Sequence, residues 1–246
     1  MNIQYHRHWS SHLNRHMEFK VYGHSGKPFL FIPCQSGRFY DFENYQMVDH
    51  FAPWIEAGKC MVFAVDSIDD EAWAAQGADI NWRIGNHERW IRYITDEMVP
   101  TVHHLTGGRW DIIPFGCSMG AMHAGNLFFR RPDLFDGCFA ISGLYDNEEF
   151  FGGACNELIY NNCPSLYLQN LPQDHYYRDL YKDRLPLFVC GQGAWEGPLL
   201  ASTRRLEAVC RQNNIPAHFE YWGYDVDHGW HWWYRMVETY LPWLVG

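Results

Sequence analysis

Short apolar runs alternate with longer amphipathic stretches along this chain. Residues 17–22 alternate apolar and polar side chains and predict a half-buried strand of antiparallel type. The turn-forming run His24-Ser25-Gly26-Lys27-Pro28 follows, and residues 29–33 are then continuously apolar, as a fully buried strand requires. Cys60–Val65, residues 110–115, Gly137–Ile141 and Leu185–Cys190 are runs of the same kind, and residues 218–222 are a weaker one. Helical patterns lie between them. Ile91, Ile94, Met98, Val102 and Leu105 recur at three- and four-residue steps and predict one helix over 86–105. Pro100 should kink that helix or delimit its last turn. Residues 119–129, 198–212 and 229–243 read as further helices, the last of them ended by Pro242. Strands alternating with helices predict a doubly wound α/β domain. Its sheet should be mainly parallel, covered on both faces, with ligands at the carboxyl ends of the strands.

Composition narrows the class. At 246 residues the chain suits one domain, and 47% hydrophobic with 17% aromatic residues is a folded, not a disordered, composition. A formal net charge of −10 argues against a nucleic-acid surface, which needs clustered Lys and Arg. The first ten residues carry two His, an Arg and a Trp where a secretory leader needs an apolar run, and no run reaches the length of a membrane span. Eight Cys are scattered without a close pair, several in strand-like segments, which predicts reduced, buried thiols and a cytoplasmic setting.

The strongest local signal is Gly116-Cys117-Ser118-Met119-Gly120-Ala121. It fits G-x-S-x-G, with an apolar run leading in and a helical pattern leading out, so Ser118 should sit on a strained strand-to-helix turn. Glycines two positions either side let neighbouring backbone pass closely, and the helix start offers free N–H groups to a developing oxyanion. Cys117 should face the packed side, since only the central residue of such a turn points into the site.

With its flanking strand and the run Pro132-Asp133-Leu134-Phe135-Asp136-Gly137 ending in Ala140-Ile141-Ser142-Gly143, this motif resembles the putative-esterase family of the α/β-hydrolase superfamily. That family includes S-formylglutathione hydrolases, feruloyl esterases and mycolyltransferases. The resemblance runs from about residue 17 to 243. It implies an α/β-hydrolase fold and serine chemistry on a small-molecule ester without a cofactor, and it leaves the substrate open. The fold also implies a cap or substrate loop around 146–180.

In this fold the nucleophile is followed by an acid and then by a His after the last strand. His228 in Tyr224-Asp225-Val226-Asp227-His228-Gly229-Trp230 matches that position, and the rival His231 should already lie within the helix. The acid should follow the 185–190 strand, where Glu196 is the next carboxylate; Asp225, Asp227 and Asp146 are the alternatives. One oxyanion donor should be the N–H of Met119, the other that of Gln35 in Cys34-Gln35-Ser36-Gly37-Arg38, with Ser36 next in line. Many relatives carry His-Gly at that loop and this chain does not.

Weaker signals remain. His6, His8, His12, His16 and His24 fit no compact zinc spacing and read as solvated surface, so no metal is implied. Of the 12 Trp, Trp195 and Trp230 are placed to line a substrate pocket, while the others suit aromatic core packing. Arg38 and Arg83 could meet an anionic substrate group. An ester hydrolase, an acyltransferase using the same residues, and a non-catalytic relative of the fold are all compatible with the chain, and the oligomeric state is open.

Overall fold

The computed structural model describes residues 1–246 and contains one eight-stranded sheet. Its strands are β1 (Ile3–Ser10), β2 (Arg15–Tyr22), β3 (Lys27–Ile32), β4 (Cys60–Val65), β5 (Ile113–Cys117), β6 (Gly137–Ile141), β7 (Leu185–Cys190) and β8 (His218–Tyr221). They lie in the order β1-β2-β4-β3-β5-β6-β7-β8. β3 to β8 are parallel, as their buried, non-alternating sequences require, whereas β2 pairs antiparallel with both β1 and β4.

Alternation of side chains along the strands feeds two cores. Phe29 and Phe31 of β3 face one side with Val62 of β4, while Leu30 and Ile32 face the other with Phe63. The first side is covered by α1 (Asp41–Asn44), α2 (Met47–Glu56) and, at the end of the chain, α11 (Trp230–Val245). The second is covered by α3 (Ile80–Arg92), α4 (Val99–Leu105), α5 (Met119–Arg130) and α10 (Gly197–Gln212). Between β6 and β7 lie four short helices, α6 (Glu148–Phe151), α7 (Glu157–Asn161), α8 (Pro164–Tyr167) and α9 (Tyr177–Lys182). No helix is long and apolar enough to cross a membrane.

Several sequence expectations shift. β5 begins later than expected and runs on to Cys117, one residue before Ser118. The 86–105 helix starts at Ile80 and is interrupted by a π-helical turn, Tyr93–Met98, just ahead of Pro100. The wider turn absorbs the proline, whose ring would collide with the carbonyl four residues back in a regular α-helix. Pro242 does not end the last helix, which continues to Val245. The histidine-rich start is a strand: His6 stacks on Phe19 at 4.7 Å, so His6 and His8 are half-buried against β2 and not simply solvated.

Near the strand ends β3 and α5 approach each other closely through their backbones. A Cβ on Gly120 would lie 2.2 Å from the Ile32 carbonyl oxygen, and one on Gly116 would lie 2.5 Å from the Gly120 carbonyl carbon. Only glycine fits at either position. Gly120→Ala should therefore lower stability by about 3 kcal/mol, read as a drop in the urea midpoint, because backbone on both sides must move. An unchanged midpoint would mean that α5 slides away from β3 at no cost.

Candidate active site

The candidate residues all lie just past the carboxyl ends of parallel strands, where open α/β sheets place their sites. Residues 34–38 follow β3, Ser118 follows β5, Ser142 follows β6, Glu196 follows β7 and His228 follows β8.

Ser118 occupies the turn between β5 and α5 with φ 57° and ψ −121°, a conformation that costs a non-glycine residue free energy. Hydrogen bonds hold it there. Its N–H donates to Ile141 O at 2.9 Å, and its carbonyl accepts from the N–H groups of Ala121 and Met122. The turn lifts the side chain out of the sheet, and Ser118 Oγ lies 3.0 Å from His228 Nε2. The His228 ring rests edge-on against Trp233, and its backbone N–H donates to Ala194 O at 3.1 Å. Backbone and ring are thus both fixed.

Glu196 is fully buried. Its Oε1 accepts from Ser142 Oγ at 2.6 Å and lies 3.4 Å from His228 Nδ1. That last separation is ion-pair range but longer than a well-made hydrogen bond, and such contacts commonly tighten when substrate binds. Oε2 accepts from Cys190 Sγ at 3.5 Å. Burial, then the neighbouring Glu196 charge, push the Cys190 thiol up, so it stays protonated and can donate. Three of the predicted residues, Ser118, His228 and Glu196, are therefore brought together in one line.

The alternatives to Glu196 are not. Asp225 and Asp227 are exposed on the loop before His228, and Asp146 is taken up by Ser202 and Arg205. His231 lies in the first turn of α11, packed on Trp232. Cys117 is buried in the core beneath the turn, and burial holds its thiol well above the usual range. Ser142 was not singled out from the sequence. Its signal is a lone serine between the buried β6 and Gly143, held at φ 56° with its N–H on Val189 O.

Met119 opens α5, so its N–H belongs to the first turn, where no helical acceptor precedes it. Gln35 lies across the same cleft. Its loop is held from behind: Ser36 at φ 58° donates to Asp70, Ser67 Oγ donates to Gly37 O, and Arg38 makes a two-pronged contact with Asp66. Arg83 is buried and donates to the carbonyls of Ala72, Trp73 and Phe150. Neither arginine lines the cleft over Ser118.

That cleft encloses about 340 Å³. Met119, Met122, Leu144, Phe150, Pro198 and Leu199 give it an apolar wall, and Gln35, Gln76 and Glu149 add polar groups. Trp195 stands at its edge, 84% exposed. Trp230 corrects the sequence expectation: it lies outside the cleft, stacked on Tyr45 at 4.6 Å and edge-on to Trp233. At the first position of α11 its side chain points toward the α1–α2 connection, a direction that depends on helix phase and not on nearness to His228 in sequence.

The mostly parallel sheet, with a serine on a strand–helix turn and a histidine after the last strand, is the α/β-hydrolase fold. Solved structures of the same shape include a ferulic acid esterase, 15% identical, with 99% of this chain and 98% of that one covered and a TM-score of 0.75. A fluorophosphonate-binding serine hydrolase of Staphylococcus aureus, solved with substrate bound, is 15% identical over 100% of this chain and 98% of that one, with a TM-score of 0.72. An S-formylglutathione hydrolase from Agrobacterium tumefaciens is 14% identical over 99% and 94%, also at 0.72. No curated protein matches the sequence. The family model described as "Putative esterase" matches residues 10–244, and the chain belongs to that family. It is a carboxylic ester hydrolase.

Proposed function

We propose that Ser118 is the nucleophile, His228 its general base and Glu196 the acid that orients the base. The observation that carries this reading is the 3.0 Å approach of His228 Nε2 to Ser118 Oγ on the strained turn. Ser118 Oγ attacks the ester carbonyl carbon while His228 Nε2 takes its proton. Charge then develops on the carbonyl oxygen, between the N–H groups proposed as donors, those of Met119 and Gln35; one such donor is typically worth about 3 kcal/mol. Glu196 keeps Nδ1 protonated and stabilises the imidazolium without taking the proton itself. His228 next protonates the departing alcohol oxygen, leaving an acyl group on Ser118. Water, deprotonated by His228, attacks that acyl-enzyme and releases the acid.

The apolar wall suits an acyl chain, and residues 146–180 act as a substrate loop that contributes Glu149 and Phe150 to it. The eight cysteines are all unpaired, which supports a reducing, cytoplasmic compartment.

The test is intact-mass measurement after treatment with a fluorophosphonate probe. Wild-type protein should take up one adduct and the Ser118→Ala protein none. A folded wild-type protein that takes up no adduct would overturn the reading.

A further inference from the structure

Apart from His228, the cleft over Ser118 is lined by one ionisable side chain, and it is acidic. Glu149 on α6 is exposed and borders the cleft, beside the neutral amides of Gln35 and Gln76. No Lys or Arg lines it. The two arginines that could have received an anion are committed elsewhere, Arg38 to Asp66 and Glu18, and Arg83 to three backbone carbonyls.

At the mouth, Trp195 is 84% exposed with φ at +67°. A bulky residue adopts that left-handed conformation only under constraint. Here the constraint is local: Glu196 N–H donates to Gly193 O, His228 N–H donates to Ala194 O, and Gly193 N–H donates to Val226 O. The turn that buries Glu196 also holds the indole out in solvent. An indole face attracts an ammonium group, and a nearby carboxylate adds a full negative charge. An anion entering the same space meets no Lys or Arg, and the side-chain amides of Gln35 and Gln76 carry no charge. It is repelled by Glu149 and by the field of a chain with net charge −10.

We infer that the cleft selects esters bearing a cationic, alkylammonium-type group and disfavours anionic esters, with Glu149 and Trp195 as the specificity-determining residues. This rests on the serine-esterase reading of Ser118 and extends it to the class of substrate.

Three para-nitrophenyl esters with the same four-carbon acyl chain test it: butanoate, hemisuccinate and 4-(trimethylammonio)butanoate. At low salt kcat/KM should fall in the order cationic, neutral, anionic, with about a 30-fold span, as expected for one partly screened charge acting on two opposite signs. Glu149→Gln should compress the cationic-to-anionic ratio about fivefold, and Glu149→Lys should bring the anionic ester level with the cationic one or ahead of it. Reading a ratio cancels any loss common to both substrates. Trp195→Ala should lower kcat/KM for the cationic ester about threefold relative to the neutral one. An anionic ester cleaved as fast as the neutral one, or a ratio unmoved by both Glu149 variants, overturns the inference. In that case normal cleavage of the butanoate and normal probe labelling leave the serine reading standing. No cleavage of any ester together with no adduct removes both.

Discussion

Ester turnover by the Ser118→Ala protein should fall about 10⁶-fold in kcat, and His228→Ala should fall about as far. Nothing else in the cleft can replace the hydroxyl. Cys117 is buried in the core with its thiol held protonated, and burial pushes the thiol of Cys34, on the loop opposite, up to about 12. The double variant should be no slower than either single one, because nucleophile and base act as a unit and losing one idles the other. A residual rate of about 10³-fold over water should survive, supplied by binding and the oxyanion donors. Steady-state assays with an active-site titration to exclude wild-type contamination would measure this. A Ser118→Ala protein within tenfold of wild type would place the chemistry elsewhere.

Glu196→Gln should lower kcat about 10⁴-fold with little change in KM. Glutamine keeps the shape of glutamate, and with its amide oxygen in the Oε2 position it still accepts from Cys190 Sγ. The amide nitrogen then takes the Oε1 position, where it donates to Ser142 Oγ, whose hydroxyl turns to accept, and to His228 Nδ1, 3.4 Å from Oε1, and so favours the tautomer whose Nε2 carries the hydrogen. Such a ring cannot accept the Ser118 proton. The fold should hold, since a fully buried carboxylate is being replaced by a neutral group. Asp225→Asn and Asp227→Asn should stay within a few-fold of wild type, because both side chains are solvent-exposed. A large loss in either of those, with an active Glu196→Gln, would move the orienting role to the loop.

The parts legible in the sequence are those where local pattern and tertiary role agree. β4, β6 and β7 are continuous apolar runs because both of their faces are covered, and they lie where the sequence put them. That Ser118, His228 and Glu196 would meet was readable because a parallel sheet delivers strand ends to one edge in a fixed order. β1 was not legible, because an edge strand with exposed Ile3, Tyr5 and Trp9 carries no clean alternation. The π-helical turn before Pro100 was hidden because periodicity alone does not distinguish a widened turn from a kink. Ser142 stayed invisible for a different reason: its contact with Glu196 joins two loops distant in sequence.

The Gly120–Ile32 contact separates what is fixed in this molecule from what is free to vary. Ser118, Met119 and the loop carrying Gln35 are anchored through touching backbone, so any change there disturbs all three at once. Glu149 and Phe150 on α6, and Trp195 in the turn before α10, border the cleft from other segments, and none of the three makes that backbone contact. On the proposed assignment, substrate preference should therefore drift, or be bred in a library confined to those rim positions, while Ser118 and His228 stay where the sheet puts them.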